Sequence, residues 1–319
     1  DIAFQTNEIG IAVGSHGRIW LTNDSGRDWL PVYSETEVNL NSVVFYDGQR
    51  GWAAGDDGTI LRTINGGASW GKGETHVSQD LTSVYFITER TGFAVGENGM
   101  ILRSDSGGAY WEQQESGTRL WLEDVKFFDE KRGVAVGDRG VVVTTVDGGL
   151  SWQKVRSNVR ENLYSVSFYG DKAGFAVGEN GIILRTDDGG QTWKDQESPT
   201  SSSLFAVTYF NEKNAVAVGE LGTVVMTENA GAKWATAKSF TGKLLQAVAY
   251  RGGTNVWAAG RGGMIVKRIE PLAAGGYAPA KLPPTLRTRP RLDAKPRKPA
   301  ITLTDDGDIP AALPPKKDP

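Results

Sequence analysis

The sequence predicts an all-β fold, a seven-bladed β-propeller of 41-residue four-stranded blades followed by an extended C-terminal tail. Three observations predict it. Trp29, Trp70, Trp111, Trp152, Trp193 and Trp234 stand 41 residues apart. Gly14, Gly55, Gly96, Gly137, Gly178, Gly219 and Gly260 keep the same step, each followed three residues later by a second glycine. Leu40, Leu81, Leu122, Leu163, Leu204 and Leu245 keep it as well. A fixed period of this length is the signature of a repeat architecture, and forty-odd residues suit one propeller blade.

Each unit reads as four short strands. The first alternates, as in Leu81-Thr-Ser-Val84-Tyr-Phe86. The second is Gly-Phe-Ala-Val-Gly from Gly92 to Gly96, and the third runs from Ile101 to Ser104. The fourth begins at the repeated Trp. Period-2 apolar runs with turn signals about every ten residues argue for antiparallel sheet. The glycine pairs between strands two and three suit a tight hairpin that needs positive φ. Between strands three and four lies an Asp box, an acid or amide followed by Gly-x-x-Trp. Its expected structural residues are Asp24 with Trp29, Trp70, Asp105 with Trp111, Asp147 with Trp152, Asp187 with Trp193, and Trp234. The acid holds backbone N–H groups of the turn, and the Trp buries a large surface.

Ring closure shows a gap. Gly275 stands where the seventh Trp is due, and Asp1 aligns with Ser42, so the first strand of the first unit is clipped. Blade seven is expected to lack its outer strand, or to take it from upstream residues or from residues 271–285.

Composition divides the chain into residues 1–270, the propeller, and 271–319, a basic, proline-rich tail that is extended or partner-bound. The whole has 319 residues, 35 basic and 38 acidic, net charge −3. Eleven of the 13 prolines lie at or after Pro271. The tail carries nine Lys or Arg against five Asp or Glu, which leaves the body at −7. With no cysteine, disulfides, thiol catalysis and thiolate metal sites are excluded. No run of 18 apolar residues spans a membrane. His16 and His76 lie in different loops without a partner at ligand spacing, so no metal and no cofactor are expected. No P-loop, Gly-x-Ser-x-Gly or His-Glu-x-x-His pattern appears.

The run GFAVGENGIILRTDDGGQTW, residues 174–193, in seven registers resembles the photosystem II stability/assembly factor family over roughly residues 1–268. That resemblance implies a non-enzymatic propeller in the periplasm or another extracytoplasmic compartment, with a secretory segment upstream of Asp1. It also implies a partner, an integral membrane protein complex, either a photosystem precursor or a transporter of the RND type. The tail of about 50 residues, the lack of cysteine and the lack of a dense arginine cluster in the blades favour the transporter-associated relatives. A sialidase-like or glycan-binding protein is the enzymatic alternative, because sialidases also carry Asp boxes. The Arg-Ile-Pro signature of those enzymes is absent, and the fixed step leaves no inserted loop to build a pocket. Neither a small-molecule substrate nor a nucleic acid is expected, since the body is acidic.

Departures from the repeat nominate partner-binding residues. Trp121 replaces Asn39, Asp80, Asn162, Ser203 and Leu244 of the other units and follows Arg119. Two readings are open: an exposed hot spot, or a ring folded over its own loop. Arg156 and Arg160 share that face, as do the hairpin acids Asp56, Asp57, Glu97, Asp138, Glu179 and Glu220. On the other face, acids and bases such as Asp47 and Arg50 read as solubilising surface, and Arg62, Arg103, Arg185 and Lys267 as buttresses of neighbouring turns. In the tail, Arg287, Arg289 and Arg291 suit an anionic partner, and Ile301 and Leu303 form a strand-like run that could extend a partner's sheet.

Overall fold

The computed structural model describes residues 1–268 except Phe240 and Thr254. It forms seven antiparallel sheets in chain order. Blades one to six each have four strands, and blade seven has three among the described residues. Blade four is representative, with strands Leu122–Phe127, Gly133–Gly137, Val142–Thr145 and Gln153–Val155. Blade one has a three-residue inner strand, Ile2–Phe4. Blade seven runs Leu245–Tyr250, Val256–Gly260 and Met264–Lys267.

Alternation puts apolar side chains on both faces of every blade, so the cores lie between blades. Trp52, Ala54 and Ile60 of blade two pack on Leu81, Phe86, Leu102 and Trp111 of blade three. The same arrangement recurs around the ring. It ends with Trp257 and Ala247 of blade seven against Ile2, Phe4 and Ala12 of blade one. The second-strand residue stacks on the inner-strand aromatic of the next blade, as Trp52 does on Phe86 at 3.4 Å and Trp257 on Phe4 at 3.6 Å. Each ring removes a large apolar area from water, which is the main force closing the circle.

The hairpin glycines do two different jobs. Gly140 has φ +69, as expected, but Gly137 is extended at φ −175. Its constraint is close approach: an added Cβ would lie 1.9 Å from the carbonyl oxygen of Trp121. The positive φ that the pair was expected to share falls instead on Gly140 and on the residue before it, Arg139, at φ +54.

Inner strands carry a bulge at one register, seen between Leu122 and Asp124 and between Leu163 and Ser165. Bulge residues then reach sideways: Asn41 Nδ2 donates to the Leu81 carbonyl at 2.9 Å and Thr82 Oγ1 to that of Leu122 at 2.6 Å. Neighbouring blades are therefore tied by polar contacts as well as by packing.

Candidate functional site

Antiparallel alternation gives the ring two unlike faces. One carries the turns between strands one and two together with the Asp boxes. The other carries the hairpins between strands two and three and the connections between blades.

On the first face the boxes are turn locks, and their register corrects the sequence reading. The side chain that accepts the turn N–H lies five residues before the Trp. In blade five it is Asp188, which takes the Thr192 N–H at 2.9 Å and the Thr192 hydroxyl at 2.6 Å. In blade three it is Ser106, which takes the Tyr110 N–H at 2.8 Å. Asp105 and Asp187, expected in this role, stand one residue too early, because strand alternation turns them outward. They pair with the outward arginines instead, Arg103 to Asp105 at 3.0 Å and Arg185 to Asp187 at 2.6 Å. Asp24 and Asp147 hold the positions expected of them. A buried hydroxyl completes each lock: Thr186 Oγ1 donates to Asp188 at 2.8 Å and accepts the Gly190 N–H at 2.9 Å. Trp70, Trp111 and Trp193 donate their indole N–H to the box glycine carbonyl. Trp152 and Trp234 are also buried, whereas Trp29 is only partly so.

The box carboxylates are held below the usual range. For Asp24 the Asp28 N–H is the main cause, and for Asp147 it is the Ser151 hydroxyl. For Asp188 the burial that pushes it up is outweighed by the Thr192 hydroxyl and N–H. Arg132 reaches both Asp129 of its own blade, at 2.7 Å, and Asp171 of the next, at 3.0 Å. Arg50 likewise pairs with Asp47 and with Glu89 of the next blade. The charged turns thus join blades in addition to covering them. An open depression of about 490 Å³ lies beside Asp129, Arg132 and Val146 on this face.

The second face holds the residues nominated for binding. Arg119, Arg156 and Arg160 are exposed there. Arg139, which the sequence reading passed over, joins the same sector: its backbone N–H is held by Asn162 at 2.8 Å and its side chain is exposed. Its signal was a base at a hairpin position that carries Asp57, Asn98 and Asn180 in other blades. Next to this basic sector lies a shallow depression of about 310 Å³ lined by Glu161, Glu179, Asp195 and Glu197. Trp121 departs from the exposed reading. It is 8% exposed, because the lead-in to its strand is drawn under the hairpin, where the Trp121 carbonyl accepts the Asp138 N–H at 2.9 Å. The hairpin acids are mostly engaged within their blades. Asp56 accepts from Asn39 and Asn41, and Glu179 and Glu220 accept the backbone N–H of Asn162 and Ser203.

Along the central channel, Asp124 is the most heavily engaged carboxylate among the described residues. It is 8% exposed and accepts from Ser83 of blade three at 2.8 Å, and from Ser165 and the Val166 N–H of blade five at 3.2 and 3.0 Å. Lys126 adds an ion pair at 2.8 Å. Lys126 belongs to the same strand as Asp124, whereas Ser83, Ser165 and the Val166 N–H reach it from the two neighbouring blades, so this group is a clasp between blades. His16 and His76 are exposed in separate loops, and among the described residues no cluster of metal-ligating side chains forms. Arg287, Arg289, Arg291, Ile301 and Leu303 lie outside the described residues.

Solved structures share the fold. One described as YCF48 bound to D1 peptide superposes with a TM-score of 0.69 at 19% identity, covering 85% of this chain and 91% of that one. YCF48 from Cyanidioschyzon merolae does so at 0.69 and 18%, covering 84% and 94%. A GH74 xyloglucanase from Xanthomonas campestris reaches 0.67 at 13%, covering 83% of this chain and 50% of that one. No curated protein sequence matches. At these identities the likeness is one of fold. Sequence similarity of a different kind comes from a family model, that of the photosynthesis system II assembly factor YCF48, which matches residues 1–64, 36–105 and 104–264. Those matches run from blade one into blade seven, and the chain belongs to the photosynthesis system II assembly factor YCF48 family.

Proposed function

We propose that this chain is a non-catalytic, extracytoplasmic binding propeller that helps assemble or operate a membrane protein complex, with a transporter of the RND type as the partner. Membership of the assembly-factor family carries the general reading, and a family-named propeller is known as a complex with D1 peptide. The chemistry of the surface agrees with it. Asp24, Asp147, Asp188 and Asp124 are spent on turns and on inter-blade contacts. The sector with Arg119, Arg139, Arg156 and Arg160 presents exposed cationic side chains to an acidic segment of a partner. The choice of a transporter rests on composition, the long basic, proline-rich tail. A photosystem precursor is the second reading, favoured by the family model itself. Glycan cleavage has only a shared fold at 13% identity behind it.

The test is a pull-down from detergent-solubilised membranes with the full chain and with an Arg119→Glu, Arg156→Glu, Arg160→Glu variant. Capture of one membrane complex by the full chain, with its loss in the variant, supports the reading and places the interface. Equal capture by both moves the interface off this face, and capture of no membrane protein by either overturns the reading.

A further inference from the structure

In blades one to six the third strand is sandwiched between the second and the fourth. In three of these blades the residue directly after the fourth strand donates a backbone N–H to one carbonyl register: Gly73 to Ile60 at 2.9 Å, Gln196 to Ile183 at 2.9 Å and Ala237 to Val224 at 2.8 Å. The residue of blade seven at this register is Ile265. It lies in Met264–Lys267, which pairs inward with Val256–Gly260 and with no outer strand among the described residues. Period-2 alternation then turns the N–H and C=O of Ile265 and Lys267 outward, and those of Val266 inward.

The same gap uncovers the neighbouring blade. Trp20 occupies the register of Leu61, Leu102, Val143, Leu184 and Val225, all of which are 0% exposed, yet Trp20 is 37% exposed. Its blade faces blade seven, which has no fourth strand among the described residues. Elsewhere that cover includes an aliphatic residue of the fourth strand or the one directly after it. Val155 packs into the core shared by blades four and five, and Ala237 into that of blades six and seven.

The chain's own continuation is chemically unlike the other six. Where blade five has Thr186, Asp188, Gly190 and Trp193, it has Arg268, Glu270, Leu272 and Gly275, with Pro271 between. It therefore lacks the hydroxyl, the left-handed glycine and the Trp that seat a fourth strand. The charge pattern differs as well, and Lys267 lies over the Trp257 ring at 5.0 Å. Lys267 sits at the register where Arg103 and Arg185 hold Asp105 and Asp187, and the sequence offers Ile269 in place of that acid.

From these observations we propose that the outer edge of Met264–Lys267, together with Trp20, is a docking seam for an extended strand donated by a partner protein. The donor pairs antiparallel with Ile265 and Lys267, lays an aliphatic side chain on Trp20 and sets a carboxylate against Lys267. This is strand addition to an open sheet edge, in which main-chain hydrogen bonds give affinity and alternate side chains give selectivity. The identity of the donor rests on the reading of the ring as a partner-binding module. The seam does not rest on it, and the pull-down above can fail without changing the exchange pattern below.

Amide hydrogen exchange on the full chain tests the seam, with a synthetic peptide of residues 147–157, the outer segment of blade four, as probe. In the free protein the Ile265 and Lys267 amides should exchange fast while Val266 is protected. The peptide should slow both outward amides about tenfold or more. Trp20→Ala should weaken peptide binding about tenfold, while Trp20→Leu, the residue found at this register in other blades, should retain most of it. Slow exchange of Ile265 and Lys267 in the free protein at every concentration would show that the chain covers its own edge, and would overturn the proposal. Protection that grows with protein concentration would overturn it in favour of pairing between copies. Fast exchange that the peptide leaves unchanged would also overturn it.

Discussion

The boundary between blades two and three and the boundary between blades seven and one begin alike and end differently. Near the channel both stack an indole on a phenylalanine, Trp52 on Phe86 and Trp257 on Phe4. Both bind the indole N–H to a box-turn carbonyl, of Gly107 at 2.9 Å and of Ser25 at 3.0 Å. Towards the rim the first boundary buries Leu102 and Trp111, at 0% and 4% exposed, whereas the second leaves Trp20 at 37%. The lesson is a division of labour along the blade. Inner strands close the ring, and outer strands cover it. The ring therefore closes even at blade seven, where no outer strand stands among the described residues.

The largest effect tests the first half of that statement. Trp257→Ala should cost about 3–5 kcal/mol in denaturant unfolding, as should Trp52→Ala. Both rings are at most 2% exposed, and both leave a cavity and an unmatched aromatic partner. A small loss for Trp257 beside a full loss for Trp52 would mean that the ring is held shut elsewhere, and the comparison would break.

Next comes the clasp at Asp124. Its register is Asp1, Ser42, Ser83, Asp124, Ser165, Ala206 and Ala247, so the polar ties stop before the seam. Ser42 accepts the Val84 N–H at 3.3 Å and Ser165 that of Val207 at 3.3 Å, each one blade onward. Asp124→Ala leaves the two serines, the Val166 N–H and Lys126 without their acceptor, and should cost about 2–3 kcal/mol. Asp124→Asn should recover part of this. Equal stability of the alanine variant and the parent would remove the clasp from the account.

Much of this plan was legible in the sequence, and its errors have physical causes. The 41-residue step fixes blade number and strand order, because each blade buries the same positions. What the step cannot show is the direction of a side chain in a turn. Asp105 and Asp187 look like box acids because they stand beside Gly-Gly pairs. One residue of strand alternation turns them to Arg103 and Arg185 and leaves Ser106 and Asp188 in the lock. For Trp121 the repeat leaves two readings open because no rule demands an aromatic there, and the hairpin of its own blade decides for the covered one by drawing the strand lead-in under it. Asp124 was silent in the sequence, since its importance comes from serines 41 residues away on either side.

A smaller effect separates the boxes themselves. Thr186→Ala should cost about 1 kcal/mol, because it removes the acceptor of the buried Gly190 N–H. The acid positions add a pH dependence. Asp24, Asp147 and Asp188 are depressed in the folded state. A depressed carboxylate contributes stability that is present above its unfolded value, near 4, and is lost as pH falls through the folded value. Blades two, three and six use Asn65, Ser106 and Asn229 and lack this dependence. Asp188→Asn should therefore flatten the acid limb of the stability curve while changing neutral stability little, since the group is solvent-exposed. A neutral-pH loss as large as that of Thr186→Ala would mean that the charge does more than hold the turn.

The smallest effect lies at the seam, and it sharpens the comparison most. Leu102 and Trp20 share a register but not a surrounding, so exchanging their residue types reads the space at each boundary. Leu102→Trp forces extra atoms into a site that is 0% exposed and should cost about 1–3 kcal/mol by overpacking. Trp20→Leu removes atoms that already meet water and should change stability by about 0.5 kcal/mol or less. If Trp20→Leu were instead as costly as the core variant, the rim of the seam would be packed rather than open. Either result can be read from one pair of melting curves, and a small loss at Trp20 beside a large one at Leu102 leaves the outer half of the seam available to a strand.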